Sequence, residues 1–324
     1  MAVDWWGLRH AYGRATDTPG HLHALEFGGA AAREAALDHL QVAVLHQGFP
    51  ETATAAAVRA VTVLLAEGRA HSDTVTSLVE FLGDAALSVT NLAENPHFAE
   101  VLPDVADAVA AAYPVVLPLL RTSIPDHALL YAEDLVAIAQ MAPLADQREE
   151  LAALIRDWLQ RGRGPRAPWV CCLGQLGVDV RGLLSDPDPA VRMRAALAHE
   201  DDPLSQHMIL ASLGDPPPPS LHQFEIVAAA IRVAPTFETI AGPASEFARR
   251  DDWTGFDEGW GALVRFAFAE PYGQRRPLTD PQRALLRALV ANEHLWDPKN
   301  GSCGLVFREA GLPHSRVACR QLAS

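Results

Sequence analysis

The chain has 324 residues, 49% hydrophobic and 20% charged, and its 26 basic and 40 acidic side chains leave a formal net charge of −14. The apolar share excludes disorder as the main state, and the length allows one large or two ordinary folded domains. The charge works against the basic face that phosphate recognition demands, so neither duplex nucleic acid nor an anionic membrane is an expected partner.

In chain order, the amino end Met1-Ala2-Val3-Asp4-Trp5-Trp6 lacks a basic region followed by an apolar stretch, so a signal peptide is not expected. Helical periodicity then runs almost throughout. A first patch covers 30–46, and 50–67 sets Ala53, Ala57, Val61, Leu64 and Leu65 on one face. From Ser72 to Ala93, Val75, Leu78, Val79, Leu82, Ala86, Val89 and Leu92 recur at spacings of three and four. The longest nearly apolar run, Asp107 to Leu120, is read as too short for a bilayer and carries Pro114 and Pro118. Further helices are expected at 126–141, 144–160, 220–234, 256–270 and 281–293, bounded by Pro, Gly, Asp or Asn. No alternating run of β-branched residues stands out, so strands should be few. The expected class is all-α, in a soluble cytoplasmic protein.

Charge divides unevenly along this series. Residues 1–160 hold 8 basic and 21 acidic side chains, a balance of −13, and residues 161–324 hold 18 and 19, a balance of −1. The step coincides with the Arg161-Gly162-Arg163-Gly164-Pro165-Arg166 joint. The organisation read from this is acidic repeats with a cap over 1–160, a joint at 161–166, and further repeats with a cap over 167–324. One continuous array is favoured over two independent domains.

The clearest repeat unit is Leu183-Leu184-Ser185-Asp186-Pro187-Asp188-Pro189-Ala190-Val191-Arg192-Met193-Arg194-Ala195-Ala196-Leu197-Ala198. A Leu pair closes one helix, Asp caps the next, and Pro fits its first position, where the missing N–H costs nothing. This segment resembles the HEAT-repeat motif. The opening Trp5-x-x-Leu8-Arg9-His10-Ala11-Tyr12-Gly13, the internal His46-Gln47-Gly48 and the closing Gly311-Leu312-Pro313-His314-Ser315-Arg316 look like an actinobacterial group of HEAT-repeat proteins. The resemblance implies an α-solenoid, a superhelix of helical pairs. It also implies structural roles for Leu184, Asp186, Asp188 and Arg192, the last joining adjacent repeats. It names no chemistry.

His39 and His46 lie seven apart on the expected helix 30–46, two turns, which is long for one ion, and metal binding is not expected. Cys171, Cys172, Cys303 and Cys319 fit neither a disulfide framework nor a metal knuckle. No phosphate loop or nucleophile elbow is present, so no cofactor is expected. Trp253, Asp257 and Trp260 lie in the densest aromatic stretch. They would serve a small-molecule or nucleobase enzyme, as in HEAT-like alkylpurine DNA glycosylases, whose groove is basic where this chain is not. Catalysis is the less favoured reading. The favoured one is a scaffold that binds a protein, and a basic partner suits the acidic half, with Glu100, Asp104 and Asp107 at the rim and His39 and His46, read as sharing a helix face, as further binding residues. An immunity-type role against a basic toxin is the third reading.

Overall fold

The computed structural model describes residues 3–123, 125–250, 257–273, 277–296 and 303–324, with the backbone alone at 125 and 126. Helices hold 68% of the chain, about twice the usual share, in sixteen α-helices among the described residues. Among the described residues the strands number four, each two residues long. The all-α expectation holds.

The helices fall into two compact units, Met1–Val178 and Asp179–Ser324. The division thus lies beyond the expected joint at 161–166. That joint is instead the turn between two helices of the first unit, with Gly162 and Gly164 at positive φ.

The first unit opens with the hairpin β1 (Arg9–His10) and β2 (Gly13–Arg14), then α1 (Thr18–Phe27) and α2 (Ala30–His39). The expected helix 30–46 stops early. A π-helical turn follows at Leu40–Val44, and the chain extends into β3 (Leu45–His46) and β4 (Phe49–Pro50). Gln47 and Gly48 join these strands with φ of 54° and 77°, the paired positive values that primed hairpin turns require. Five helices come next: α3 (Thr54–Ala66), α4 (Val75–Asn91), α5 (Leu102–Thr122), α6 (Pro125–Ala139) and α7 (Arg148–Gln160). The unit closes with α8 (Arg166–Gln175). Besides its sequence neighbours, α5 packs on α3, and α6 on α4. The expected faces are in the core: Ala53, Ala57, Val61, Leu64 and Leu65 are buried, as are Leu78, Val79, Leu82 and Ala86.

The 21-residue α5 corrects one expectation. It runs through both Pro114 and Pro118, and it is long and apolar enough, by length and composition, to cross a membrane. The prolines are four apart on its exposed side, so the carbonyls that lose their partners face solvent. The opposite side is core, with Val105, Val109, Ala112, Val116 and Leu120 all fully buried.

The second unit contains α9 (Pro189–Ala198), α10 (Pro203–Ser212), α11 (Gln223–Val233), α12 (Phe237–Arg250), α13 (Trp260–Ala267), α14 (Asp280–Ala291), α15 (Cys303–Glu309) and α16 (Arg316–Ala323). Here too a helix packs on the one two places along: α10 on α12, α11 on α13, α12 on α14, α13 on α15, and α14 on α16. Asp188 caps α9 by accepting from the Ala190 N–H at 2.9 Å, with Pro189 first in the helix. Asp186 braces the turn from inside, accepting from the Asp188 N–H at 3.0 Å. Leu184 is buried, although it follows a 3₁₀ turn and not a full helix.

Arg192 departs from the implied role. Its guanidinium donates to the carbonyls of Asp186 (2.6 Å) and Pro187 (3.0 Å), within its own turn. The onward bridge is made by Arg194, which donates to the Ser220 carbonyl at 2.7 Å and pairs with Glu225 on α11. Two residues along a helix is more than half a turn, so the two arginines leave α9 on different sides.

Candidate functional site

The acidic residues singled out from sequence lie together on one stretch. Glu100 precedes α5, while Asp104 and Asp107 occupy its first two turns, and all three are exposed. Carboxylates at a helix N-terminus also gain from its partial positive charge, a sufficient structural reason for Asp104. Many acids of this unit are matched: Glu26, Asp73, Glu149, Glu150 and Asp157 each pair with an arginine. Among the described residues Glu94, Glu100, Asp104 and Asp107 have no such partner. Beside this run, the Phe49 ring stacks on Phe98 at 5.6 Å and 11°, and Phe49 remains 45% exposed. The segment 94–107 therefore carries these carboxylates and, at Phe98, one half of an aromatic plate whose other half comes from β4, a pairing that sequence spacing did not reveal. The Arg59 guanidinium donates to the main-chain carbonyl of Asp104 at 3.3 Å.

A second cluster was also missed. The first hairpin is tied to the two flanks of the second, with Ala11 N–H donating to the Ala43 carbonyl in the π-helical turn and Ala53 N–H, just before α3, to the Arg9 carbonyl. Beneath them His10, Asp17 and His39 bring ligand-type atoms within 4.8 Å of one another. His10 is 3.0 Å from the Asp17 carboxylate, and His39 Nε2 is 2.9 Å from the Thr18 hydroxyl. The His21 ring lies flat on His39 at 4.1 Å. Asp17 therefore leaves α1 without a side-chain cap, its carboxylate being given to His10. Burial, with His21 and His10 adding to it, pushes the His39 imidazole down to about 4 against the opposing pull of Asp17.

The proton inventory decides what this cluster can do. The Tyr12 N–H donates to His10 Nδ1 at 3.1 Å, so the ring proton sits on Nε2 and points at Asp17. Both nitrogens of His10 are committed. A metal on Nε2 would need Nδ1 to carry a proton, facing the Tyr12 donor, so the set fits a metal poorly. The same bonds leave His10 no lone pair for use as a base. The cluster is a clamp between the first hairpin and the α1–α2 pair.

The proposed His39 and His46 pair is not on one helix face, because the π turn and β3 intervene. His46 turns Nδ1 to the Val42 carbonyl at 2.8 Å, with the Tyr12 hydroxyl 3.4 Å away. The opening and internal motifs thus meet in space as two hairpins.

In the second unit Trp253 lies outside the described residues. Trp260 is fully buried against Phe307, and Phe268 is buried as well. Asp257 is exposed, with its carboxylate 2.9 Å from Arg265, which also pairs with Glu309. Trp260 and Asp257 therefore do not line a common pocket. Of the cysteines, Cys172, Cys303 and Cys319 are buried, and burial pushes the Cys319 thiol up to about 11, away from the reactive thiolate. No family model, curated protein or solved structure matches this chain.

Proposed function

We propose that the chain is a non-catalytic, cytoplasmic HEAT-like α-solenoid whose acidic unit docks a basic, aromatic-containing segment of a partner protein. Support for the architecture comes from the recurrent packing of a helix on the one two places along, seen for α3 on α5, α4 on α6 and from α10 to α16, as stacked helical hairpins require. The functional reading is carried by one observation, the Phe49–Phe98 stack, with Glu94, Glu100, Asp104 and Asp107, whose carboxylates have no ion-pair partner among the described residues, before and after Phe98 in the chain. An exposed aromatic face offers area and cation–π attraction to arginine, and the carboxylates steer a cation toward it.

The test is fluorescence anisotropy with a labelled peptide alternating arginine and phenylalanine, against a glutamate-for-arginine control. Reversing Glu100, Asp104 and Asp107 to Lys changes six charges, and at up to about 0.5 kcal/mol each this weakens binding about a hundredfold at low salt. Phe49→Ala weakens it as well, with the far-ultraviolet spectrum unchanged. Equal affinity of wild type and the triple variant at low salt removes this surface from consideration.

A further inference from the structure

The closing motif, Gly311 to Arg316, builds the turn into α16, and it also delivers a side chain to a cavity. A pocket of about 410 Å³ lies between α14 and α16, with Val290, Ala291 and Ala323 as apolar lining. Three guanidiniums surround it: Arg287, Arg316 and Arg320. No acidic side chain lines it, in a chain with a net charge of −14.

Two of these arginines have structural work. Arg287 Nε donates to the Ala323 carbonyl at 2.9 Å, and Arg316 Nε to the Val290 carbonyl at 2.8 Å. Each thereby satisfies a last-turn carbonyl of α16 or α14 and offsets the negative end of that helix. The bonds use Nε and fix the guanidinium planes at the pocket, leaving terminal N–H groups available. Arg316 shares one of its own with Glu293 at 3.4 Å, and that carboxylate is largely exposed. Arg320 makes no capping bond and has no acidic partner among the described residues. Three positive charges thus face two helix ends, each worth about half a negative charge, and one exposed carboxylate, Glu293, so these groups together leave about one positive charge in excess.

We infer that this pocket binds a small anion, a carboxylate or phosphate monoester, that carries a short hydrocarbon tail. Pre-positioned guanidiniums match the paired oxygens of either head group, and the Val290, Ala291 and Ala323 surface receives the tail. The main-chain carboxyl of Ser324, when free, competes for these guanidiniums at the rim alongside Glu293. This inference concerns the second unit and is independent of the docking surface on the first.

Arg320 separates a ligand role from a capping role. Calorimetric titrations of the full chain use octanoate, octyl phosphate and inorganic phosphate as probes. For ten or so non-hydrogen atoms, at about 0.3–0.5 kcal/mol each, the dissociation constant of octanoate is expected near about 1 mM. Arg320→Gln should raise it about tenfold with an unchanged melting temperature, because no helix-end bond is lost. Arg287→Gln should weaken binding and also lower the melting temperature. Absence of saturable binding by both octyl probes overturns the inference, as does octyl-probe affinity unaffected by Arg320→Gln. Inorganic phosphate binding as tightly as octyl phosphate overturns the apolar half of the ligand description.

Discussion

Asp134 offers the sharpest test of the packing in the first unit. It sits on α6 where that helix crosses α4 at Gly83, and an alanine Cβ at Gly83 would overlap its carboxyl group. Its Oδ2 is shut off from solvent and accepts no hydrogen bond. Burial, then the negative charges of Asp84, Glu80 and Glu133, push this carboxyl up from 3.8 to about 8. Between those values the folded state holds a proton that the unfolded state has released. Stability therefore falls as pH rises from about 4 to about 8. At about 1.4 kcal/mol per unit the term reaches at most about 4 kcal/mol at neutral pH, and water entry reduces it to about 2 kcal/mol. Asp134→Asn keeps the shape and removes the charge. Urea denaturation followed by circular dichroism should find the variant about 2 kcal/mol more stable than wild type near pH 8, with the gap closing toward pH 4. With two compact units, the shift belongs to the transition of the acidic one. A gap independent of pH, or a variant weaker at alkaline pH, refutes the assignment of a buried neutral acid.

The other expectations are simpler. His39 has the opposite sign: its depressed value means that stability is lost as pH falls from about 6.5 through about 4, and a histidine-selective NMR titration should show it neutral at pH 6. An ordinary midpoint near 6.5 would show that His39 is not buried in the clamp. Leu184→Ala removes a side chain only 8% exposed and should cost about 2–4 kcal/mol, and an unchanged melting temperature would place Leu184 outside the core. Asp188→Ala deletes the α9 cap and should cost about 1 kcal/mol by urea denaturation, whereas no loss would mean that the Ala190 N–H finds water equally well.

The local rules read from sequence survived wherever only local physics was needed. The three-and-four spacing in Leu78, Val79, Leu82 and Ala86 fixed a buried stripe, because any helix with that pattern must cover it. The Asp188-Pro189 pair set a helix start, since the cap and the first-turn proline act within four residues. Where a local rule met a tertiary demand, it lost. The helix expected at 30–46 breaks after His39, where the two hairpins take up the backbone, and Pro114 and Pro118 stay inside α5 because its other side is core. The motif pointed to Arg192 as the bridge between repeats, yet the positions of Ser220 and Glu225 gave that role to Arg194. The same holds for chemistry. His10, Asp17 and His39 span three elements, and Arg287, Arg316 and Arg320 two, so no spacing along the chain could announce either group. The sequence alone determined that the chain is mostly helical, which faces of α3 and α4 are buried, where α9 starts, and where the acid lies; it gave no sign of α1, α8, α10, α12, α15 and α16. Only the tertiary structure decided which side chains meet, because that depends on helix packing between residues far apart in the chain.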